Sequence, residues 1–251
     1  ALKELAIEIG KLTEFCFDTE TTSINALDSE LVAISVSWKK GEGYLIYFPE
    51  SREKTLELLN ILKPEFENNL TRKIGQNIKF DIQVLSNYGL EVNGPFFDTM
   101  IAHYILEPDM RHNMDFLAET YLSYTPVPIE NLLGEKGRNQ KTMRSVPVEK
   151  IVEYAVEDAD VTWQLKEVFE PRLEKEGMAK LARDIEMPLI KVLASMEKTG
   201  VKLNEENLKS TAVELREDIL KLESEIYKLA GTEFNISSPK QLGDILFLKL
   251  K

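Results

Sequence analysis

Two carboxylates, Asp18 and Glu20, stand two residues apart at the end of an apolar stretch in the sequence EFCFDTETT. The run Phe15-Cys16-Phe17 predicts a buried strand, and side chains at i and i+2 of a strand point to the same face. Two anions on one face of a buried strand repel each other and are costly without a partner. The spacing therefore predicts either an ordinary pair of acids solvated at a strand end or a pair held together by a bound cation.

Two later stretches add further acids. The sequence GQNIKFDIQVL places Asp81 on the otherwise apolar face of a predicted helix, and YAVEDAD places Tyr154 and Asp158 four residues apart, hence on one helix face. Taken singly, Asp81 is an ordinary, partly exposed helix acid, and the second pair is an ordinary surface pair. Together the motifs give four acids, on one strand and two helices, in the order D-x-E, D and Y-x-x-x-D.

A ligand set made of carboxylates on separate elements is typical of sites for hard divalent cations. Mg²⁺ takes oxygen ligands, keeps several waters, and is usually held by a few carboxylates together with substrate phosphates. Two such ions about 4 Å apart can stabilise both the attacking and the leaving oxygen of a phosphodiester displacement. Bound cations would offset the repulsion between Asp18 and Glu20, which makes metal-assisted phosphodiester chemistry a hypothesis.

The first part of the chain alternates between predicted strands and helices. The predicted strands are 14–22, 31–38, 43–49 and a short one at about 72–76; the predicted helices are 52–63, closed by Pro64, and 78–88, ended by Gly89. The short KKGEG turn makes the second and third strands antiparallel neighbours. FFDTMIAHYIL and MDFLAETYL predict two more helices, and 148–169 a long amphipathic helix. The combination predicts an α/β fold with a mixed β-sheet flanked by helices.

Residues 123–147 contain three prolines and two glycines and predict a mobile surface loop. Within this loop the stretch GEKGRNQKTMR supplies Lys136, Arg138, Lys141 and Arg144 with few acids. These cations matter because the net charge of the chain is −12, which at first argues against a nucleic-acid partner. Charge alone leaves the partner undecided, since bound cations can offset clustered carboxylates.

After about Pro171 nearly the whole chain is predicted to be helical. In 205–230 the apolar residues follow a 4-3-4-3-4-3 spacing, which is typical either of a helix packed on an antiparallel neighbour or of a seam that a further region covers. The seam positions are Leu208, Ala212, Leu215, Ile219, Leu222, Ile226 and Leu229. Ser238 and Pro239 predict the start of a further helix. Because the chain stops at LKLK without a terminus signal, we expect a fragment of a longer protein.

Composition excludes several classes of protein. No apolar run approaches the roughly 20 residues that span a bilayer, and no signal peptide is visible at the N-terminus, so no membrane association is expected. The single cysteine, Cys16, excludes an intrachain disulfide and suits a reducing cytosol. With only His103 and His112 besides, a zinc site built from cysteine and histidine is not expected.

In combination the motifs resemble a known family. FDTETT, GQNIKFD and YAVEDAD are similar to the three motifs of the DEDD 3′–5′ exonucleases, in the subgroup with tyrosine in the third motif. FDTMIAHYIL, MRHNMDFLAETYL and IEMPLIKVLASMEKTGVKL resemble the proofreading domain of bacterial family A DNA polymerases (the DNA polymerase I type) and the start of their polymerase region. TEFNISSPKQLGDILF resembles their thumb, so that the resemblance covers essentially all 251 residues.

The resemblance implies a ribonuclease H-like fold and a mechanism with two divalent ions, Mg²⁺ or Mn²⁺. Asp18 would bridge the two ions, and Glu20 and Asp158 would complete the site of the ion that activates the attacking water. Asp81 would support the second ion, beside the departing 3′ oxygen. Tyr154 would hydrogen-bond to the water and orient it.

The resemblance also implies contacts with the terminal nucleotides. Gln76, Asn77 and Arg111 match positions that make such contacts in the family. Ile24 occupies the place of a leucine that wedges against the last base, a change close in volume. Phe80 stands where tyrosine is frequent, so one hydroxyl near the substrate is missing.

The implied function is removal of nucleoside 5′-monophosphates from single-stranded or frayed DNA 3′ ends, that is, proofreading in DNA replication and repair. The expected partners are a single-stranded DNA 3′ end and the rest of the polymerase chain, and the expected state is a monomer in the bacterial cytoplasm, associated with the nucleoid. The expected domains are 1–172, the exonuclease domain, and 173–251, the truncated helical start of the polymerase domain. Because no palm, fingers or 5′-nuclease region is visible, no polymerase activity is expected.

Two alternatives remain open. A non-catalytic role as a structural support that holds a single strand is compatible with the charge of −12 and the missing polymerase region. A ribonuclease D-like exoribonuclease would keep the chemistry and change the substrate to RNA, although the thumb-like C-terminal third favours DNA.

Overall fold

A computed structural model gives the structure of the chain and describes residues 1–134, 137 and 140–250. The chain divides into two compact units, Ala1–Thr199 and Gly200–Lys251, and each is described by itself. The domain boundary expected after residue 172 falls inside a helix that runs to Lys175, and the division into domains stays a prediction.

A five-stranded mixed sheet forms the centre of Ala1–Thr199. Its strands are β1 Glu14–Thr21, β2 Leu31–Lys39, β3 Glu42–Tyr47, β4 Arg72–Gly75 and β5 Phe96–Asp98. They lie in the order β3-β2-β1-β4-β5, with β1–β2 and β2–β3 antiparallel and the pairs β1–β4 and β4–β5 parallel. The predicted mixed sheet is thereby confirmed, as is the antiparallel pair on either side of the KKGEG turn.

Helices flank this sheet, as the sequence predicts. In chain order they are α1 Leu2–Ile9, α2 Arg52–Phe66, α3 Ile78–Ser86, α4 Thr99–Leu106, α5 Met114–Leu117, α6 Glu130–Leu133, α7 Val148–Lys175, α8 Ala179–Leu181 and α9 Met187–Thr199. Alternation along β1 separates two faces. Phe15 and Phe17 pack edge-to-face on Phe66 of α2, at centroid distances of 5.3 and 5.0 Å, while Asp18 and Glu20 point to the opposite face.

Helix α7 covers that opposite face and packs closely on the sheet. Gly43 of β3 makes the close approach possible, because a Cβ at this position would lie 2.8 Å from the side chain of Val156. A cluster of buried apolar residues beneath α7, including Val32, Ala33 and Ala155, joins the helix to β2. The tyrosine of the third motif, Tyr154, packs against the same cluster.

Two predicted helix ends are wrong. Pro64 does not close α2, which continues to Phe66. Proline removes one backbone hydrogen bond from this last turn, the one to the carbonyl of Asn60, but the burial of Phe66 favours continuing the helix. Helix α3 ends at Ser86 rather than Tyr88, and Gly89, with φ +73°, reverses the chain only after a further turn.

The two helices predicted after residue 95 also differ from the structure. FFDTMIAHYIL begins as strand β5, since Phe96 and Phe97 pair with β4, and becomes α4 only at Thr99. MDFLAETYL forms the short α5 followed by a π-helical turn at Ala118–Leu122.

The prediction of a surface loop over 123–147 is wrong for part of that segment. It contains α6 and a 3₁₀ turn at Met143–Ser145, and the side chains of Met143 and Val146 are buried. Arg144 donates hydrogen bonds to the carbonyl oxygens of Leu31, at 2.7 Å, and of Phe48, so this cation binds protein backbone. Lys141 is exposed, whereas Lys136 and Arg138 lie outside the described residues.

The unit Gly200–Lys251 is helical. It contains α10 Glu205–Ala230, with the predicted bounds, α11 Pro239–Gly243 and a π-helical turn at Asp244–Lys249. Ser238 caps α11 by accepting a hydrogen bond from the backbone N–H of Gln241, and Pro239 is its first residue, both as predicted. The apolar seam of α10 is exposed along most of its length, for example at Leu215 and Ile219.

No helix in the described part of the chain combines the length and the apolar character that crossing a bilayer requires.

Candidate active site

The end of β1 and the middle of α7 bring three carboxylates together. One oxygen each of Asp18, Glu20 and Asp158 lies within 4.8 Å of the other two, and we call these three residues the acidic cluster. Asp18 and Glu20 share a face because they are two residues apart on a strand, and α7 crosses that face. The structure thus unites three of the four acids that the sequence singles out.

Burial and mutual repulsion dominate the electrostatics of the acidic cluster. Burial raises the pKa of Asp18 to about 7, from an ordinary value of 3.8. Burial, followed by the charges of Asp18 and Asp158, raises the pKa of Glu20 well above its usual range. For Asp158 burial and Asp18 likewise raise the pKa, and a hydrogen bond from Tyr154 lowers it only in part. The free protein therefore disfavours three ionised carboxylates at this position.

Asp81 lies beside the cluster and is held by β1 itself. Its Oδ1 accepts hydrogen bonds from the backbone N–H of Thr19, at 3.0 Å, and from the Thr19 hydroxyl, at 2.5 Å. Thr19 points to the opposite face from Asp18, so Asp81 approaches the strand end from the α3 side. Burial and then the charge of Asp18 raise the pKa of Asp81 well above its ordinary value. Asp81 is therefore a neighbour of Asp18, although it does not belong to the acidic cluster.

A tight turn between β4 and α3 positions Asp81 next to the end of β1. Gly75 is required there because a Cβ would lie 2.9 Å from the side chain of Ile78, and Asn77 adopts a left-handed conformation with φ 59°. The buried carboxylate of Asp98 accepts a hydrogen bond from the N–H of Ile78 at 2.8 Å, and it also caps α4. One acid at the end of β5 thus fixes the first turns of two helices.

Tyr154 stands one helical turn before Asp158 and is largely enclosed. Burial raises the pKa of its hydroxyl first, and the carboxylates of Asp158, Glu20 and Asp18 raise it further. A phenol in this position stays protonated at neutral pH, so it acts as a hydrogen-bond donor and not as a base.

The acidic cluster fits a divalent cation. All its donors are carboxylate oxygens, the preferred ligands of Mg²⁺ and Mn²⁺. Oε1 of Glu20 is buried and has no hydrogen-bond partner in the described part of the chain. A buried, unpaired carboxylate oxygen is costly, and a cation is the partner that would relieve both this cost and the repulsion within the cluster.

A second group of charges holds α7 in place at the opposite end of β1. Glu14 and Glu170 both bind Arg72 and Lys166, with Lys166 Nζ at 2.7 Å from Glu14 and 3.0 Å from Glu170. We call these four residues the ion-pair network. Because it joins the later part of α7 to the start of β1, α7 runs antiparallel to β1 and its Asp158 reaches the strand end.

The four positions predicted to contact nucleotides occupy different environments. Ile24 is 99% exposed and lines a groove of about 310 Å³ together with Asn77, Phe80 and Lys79. The amide of Gln76 is bound by protein, since its Nε2 donates to the carbonyl of His112 at 2.8 Å and its Oε1 accepts from Thr99.

Arg111, the fourth of these positions, is exposed, with its guanidinium 5.9 Å from the ring centre of Phe116. The structure thus brings Ile24 and Asn77 together in one groove, and it gives Gln76 a role in fixing the backbone next to Arg111.

Sequence reasoning missed two supporting residues. Thr19 binds Asp81, and Asp98 fixes the turn that carries it. Asp98 had a visible signal, because aspartate directly before a helix is a preferred N-cap. Thr19 had none, since a threonine in a strand is ordinary and its partner is 62 residues away.

Two family models match the chain. The one described as 3′–5′ exonuclease matches residues 1–174, and the one described as DNA polymerase family A matches residues 205–251. Among curated relatives, DNA polymerase I of Pseudomonas aeruginosa is 40% identical over 93% of this chain, and that of Borreliella burgdorferi is 37% identical over 99% of it. The chain spans 27% of the length of each of these relatives.

Solved structures bear on the fold. The POL domain of Pol1 from M. smegmatis, in complex with DNA primer-template and dNTP, has a TM-score of 0.80 at 21% identity and covers 100% of this chain and 40% of its own. NrnC from Brucella melitensis has a TM-score of 0.59 at 22% identity and covers 74% of this chain and 83% of its own. These likenesses confirm the predicted ribonuclease H-like class. The family model over residues 1–174 shows that the chain belongs to the 3′–5′ exonuclease family, whose curated members at 37–40% identity are DNA polymerases I.

Proposed function

We propose that the chain is a metal-dependent 3′–5′ exonuclease, which removes nucleoside 5′-monophosphates from single-stranded or frayed DNA 3′ ends. The observation that carries this proposal is the acidic cluster, with carboxylate oxygens from one strand and one helix within 4.8 Å. Membership of the family supports nuclease activity, and the cluster supplies the ligands that such activity requires. The biological role would be proofreading by a DNA polymerase I in replication and repair.

The positions of the four acids suggest which of them would bind each cation. Asp18, Glu20 and Asp158 would hold one divalent ion, and Asp81 together with Asp18 would hold a second. When bound, such ions supply an activated water and neutralise the charge that develops on the phosphate oxygens. A structure of the fold neighbour NrnC with bound Mg²⁺ supports Mg²⁺ as the ion, and Mn²⁺ has the same ligand preferences.

The remaining task for the protein is to place the attacking water and the nucleotide. The protonated hydroxyl of Tyr154 would donate a hydrogen bond and orient the water, within the tyrosine-containing subgroup of the family. Asn77 and Ile24 would contact the terminal nucleotides from their shared groove, and the exposed guanidinium of Arg111 would bind a phosphate. Gln76 would act through the backbone beside Arg111, since both ends of its amide are bound by protein.

The same proposal covers the domains of the chain, its partner, its oligomeric state and its location. Residues 1–172 would form the exonuclease domain and 173–251 the start of the polymerase domain, with the rest of a polymerase chain as partner. We further propose a monomer in the bacterial cytoplasm, close to the nucleoid. The primer-template in the M. smegmatis neighbour supports DNA as the substrate class.

A degradation assay tests the proposal directly. A 5′-labelled single-stranded DNA is incubated with the protein and Mg²⁺ or Mn²⁺, with and without EDTA, and an RNA of the same sequence is run beside it. We expect shortening from the 3′ end that EDTA stops and that is faster on DNA. Asp158→Asn removes a ligand of the proposed ion, so it should slow the shortening by more than the ~10–100-fold that loss of a group supporting a metal ligand costs.

The chain offers a matched control two residues further along α7. Asp160 binds the backbone N–H of Gly41 at 2.7 Å and the side chain of Gln164 at 2.8 Å, away from the acidic cluster. Asp160→Asn removes the same charge from the same helix and should retain activity within a few-fold. Equal activity of Asp158→Asn and wild type would refute the proposed site. Absence of any EDTA-sensitive shortening would favour a role as a single-strand support, and faster shortening of RNA would make the enzyme an exoribonuclease.

A further inference from the structure

Buried polar atoms without partners concentrate at the acidic cluster. In residues 1–134, 137 and 140–250, three buried side-chain polar atoms lack a hydrogen-bond partner: Glu20 Oε1, Ser35 Oγ and Arg144 Nε. A buried, unsatisfied hydroxyl costs about 1–3 kcal/mol, so each such group in a native protein requires a physical reason. A cation would account for Glu20, but a hydroxyl of Ser35 requires another partner.

Ser35 lies directly beside the acidic cluster. In the antiparallel pair of β1 and β2 it stands opposite Asp18, and the next residue on that face, Ala33, stands opposite Glu20. Opposite residues in such a pair have their Cβ atoms about 4.5–5.5 Å apart and point to the same face. Ser35 is completely buried. Its hydroxyl is therefore an immediate neighbour of the Asp18 carboxylate, on the face that α7 covers.

Asp81, the acid beside the cluster, already has a hydroxyl donor from the sheet. Thr19 donates its hydroxyl to Asp81 at 2.5 Å, so the sheet supplies this carboxylate with a hydrogen-bond donor. Asp18 accepts no such side-chain hydrogen bond from the described residues. A carboxylate that binds a metal is normally hydrogen-bonded by a neighbouring group, which fixes its orientation. Ser35 is the hydroxyl placed to serve Asp18 in this way.

We propose that Ser35 is a positioning residue of the cation site: in the cation-loaded protein its hydroxyl donates a hydrogen bond to the Asp18 carboxylate and fixes the orientation of that ligand. The proposal rests on the proposed function, because it assumes that the acidic cluster binds a cation. It explains why a serine, and not an apolar residue, occupies a completely buried strand position. The cost of the unpaired hydroxyl in the free protein is recovered when Asp18 is ordered as a ligand.

Ser35→Ala tests this role without the use of activity. In EDTA we expect the variant to unfold at the same or a higher temperature than wild type, because an unsatisfied buried hydroxyl has been removed. In a calorimetric titration with Mn²⁺ alone we expect the affinity to fall about 10–100-fold, the usual effect of losing a group that orients a metal ligand. A merely structural serine would give the opposite pattern.

Ser37 provides a matched control on the same strand and face. It stands opposite Cys16, is completely buried, and donates its hydroxyl to the carbonyl of Glu42 at 2.8 Å. Ser37→Ala should therefore lower the unfolding temperature in EDTA and leave the Mn²⁺ affinity unchanged. Ser35→Ala should therefore lose Mn²⁺ affinity without losing stability, and Ser37→Ala should lose stability without losing Mn²⁺ affinity.

The outcomes separate this proposal from the proposed function. Wild type that binds Mn²⁺ while Ser35→Ala binds it equally well would overturn the role of Ser35 and leave the cation site intact. A Ser35→Ala protein that unfolds earlier in EDTA, or does not fold, would assign a structural role and overturn the proposal. A wild-type protein that binds no Mn²⁺ would overturn the cation site and the role of Ser35 together.

Discussion

At the start of β1, each carboxylate of the ion-pair network binds two cations of the protein, whereas at the end of the same strand the acidic cluster has no lysine or arginine partner among the described residues. Both groups join β1 to α7, and both are largely removed from water. In the ion-pair network, burial raises the pKa of Glu170, but hydrogen bonds from Arg72 and Lys166 outweigh it and the pKa is lowered. In the acidic cluster every pKa shift is upward.

The protein provides its own counter-charges at one end of β1 and not at the other. The ion-pair network needs nothing beyond the chain, and it fixes α7 against the sheet in the absence of any ligand. This fixed helix can then hold Asp158 close to Asp18 and Glu20, although these carboxylates repel one another. At the acidic cluster, which the chain leaves without counter-charge, a cation from solution would relieve the repulsion that stability elsewhere offsets.

Removing the central cation of the ion-pair network should have the largest effect on stability. Arg72→Met leaves Glu14 and Glu170 with only Lys166, so one carboxylate loses its partner in a largely buried position. Exposed pairs contribute about 0–1 kcal/mol and removal of one partner from a buried pair costs about 3–5 kcal/mol. For side chains 26% and 22% exposed, we expect a loss of about 2–3 kcal/mol in urea unfolding, between those limits.

Arg183→Met is the control for this change. Arg183 pairs with Asp184 at 3.0 Å on the surface, with its side chain 71% exposed, so its loss should be hardly measurable. If Arg72→Met is no less stable than Arg183→Met, the ion-pair network does not hold α7, and the contrast between the two ends of β1 fails.

Neutralising the acidic cluster should have a smaller effect of opposite sign. The pKa of Asp18 is about 7 in the folded protein and 3.8 ordinarily, so the folded state binds the proton more tightly. The stability that this group contributes is fully present below about pH 4 and is lost as the pH rises towards 7. In EDTA, Asp18→Asn should therefore match wild type near pH 4 and exceed its stability at pH 8, as measured by urea unfolding.

Divalent cations should reverse the order of these two proteins. At pH 8, Mg²⁺ at 100 times its dissociation constant stabilises a protein by about 2.7 kcal/mol, and only wild type should show this gain. Asp218→Asn, at an exposed position in α10, should show neither the pH-dependent difference nor a changed response to Mg²⁺. If wild type in EDTA at pH 8 were as stable as Asp18→Asn, the ionised acidic cluster would not destabilise the folded protein.

Regular, strongly patterned elements could be predicted from the sequence. The apolar runs of β1 and β2, the turn between β2 and β3, and the helical period of α10 each carry their own signal, and the structure confirms these elements. The three-residue strand β5 could not be recognised, because pairing with β4 overrides a sequence that continues directly into a helix. The end of α2 was misplaced because burial of Phe66 outweighs the local signal of Pro64.

The acids of the candidate site were predictable, and their supports were not. Spacing on a strand places Asp18 and Glu20 on one face, and spacing on a helix places Tyr154 with Asp158, but it was the family resemblance that assigned both pairs to one site in advance. The roles of Thr19 and Ser35 depend on which residues the folded chain places opposite them, 62 residues away for Thr19. Strand register is set by tertiary packing, and no local pattern contains it.

The smallest expected effect on stability is that of Tyr154→Phe, which removes the hydroxyl next to the acidic cluster and leaves the charge of the cluster unchanged. The repulsion among the carboxylates should persist, so the pH profile of unfolding in EDTA and the stabilisation by Mg²⁺ should remain close to those of wild type. Exonuclease activity should nevertheless fall about 10–10³-fold, because the hydroxyl would donate a hydrogen bond to the attacking water.

This variant separates charge from positioning within one site. Burial is the largest cause of the raised pKa of Tyr154 and does not depend on bound cations, so its hydroxyl stays protonated and the activity lost should be the same at pH 7 and pH 9. A loss that grows with pH would mean that the phenolate form takes part in wild type. A changed Mg²⁺ response would mean that Tyr154 acts on the ligands themselves, and the contrast between the ends of β1 would then involve more than carboxylates and their counter-charges.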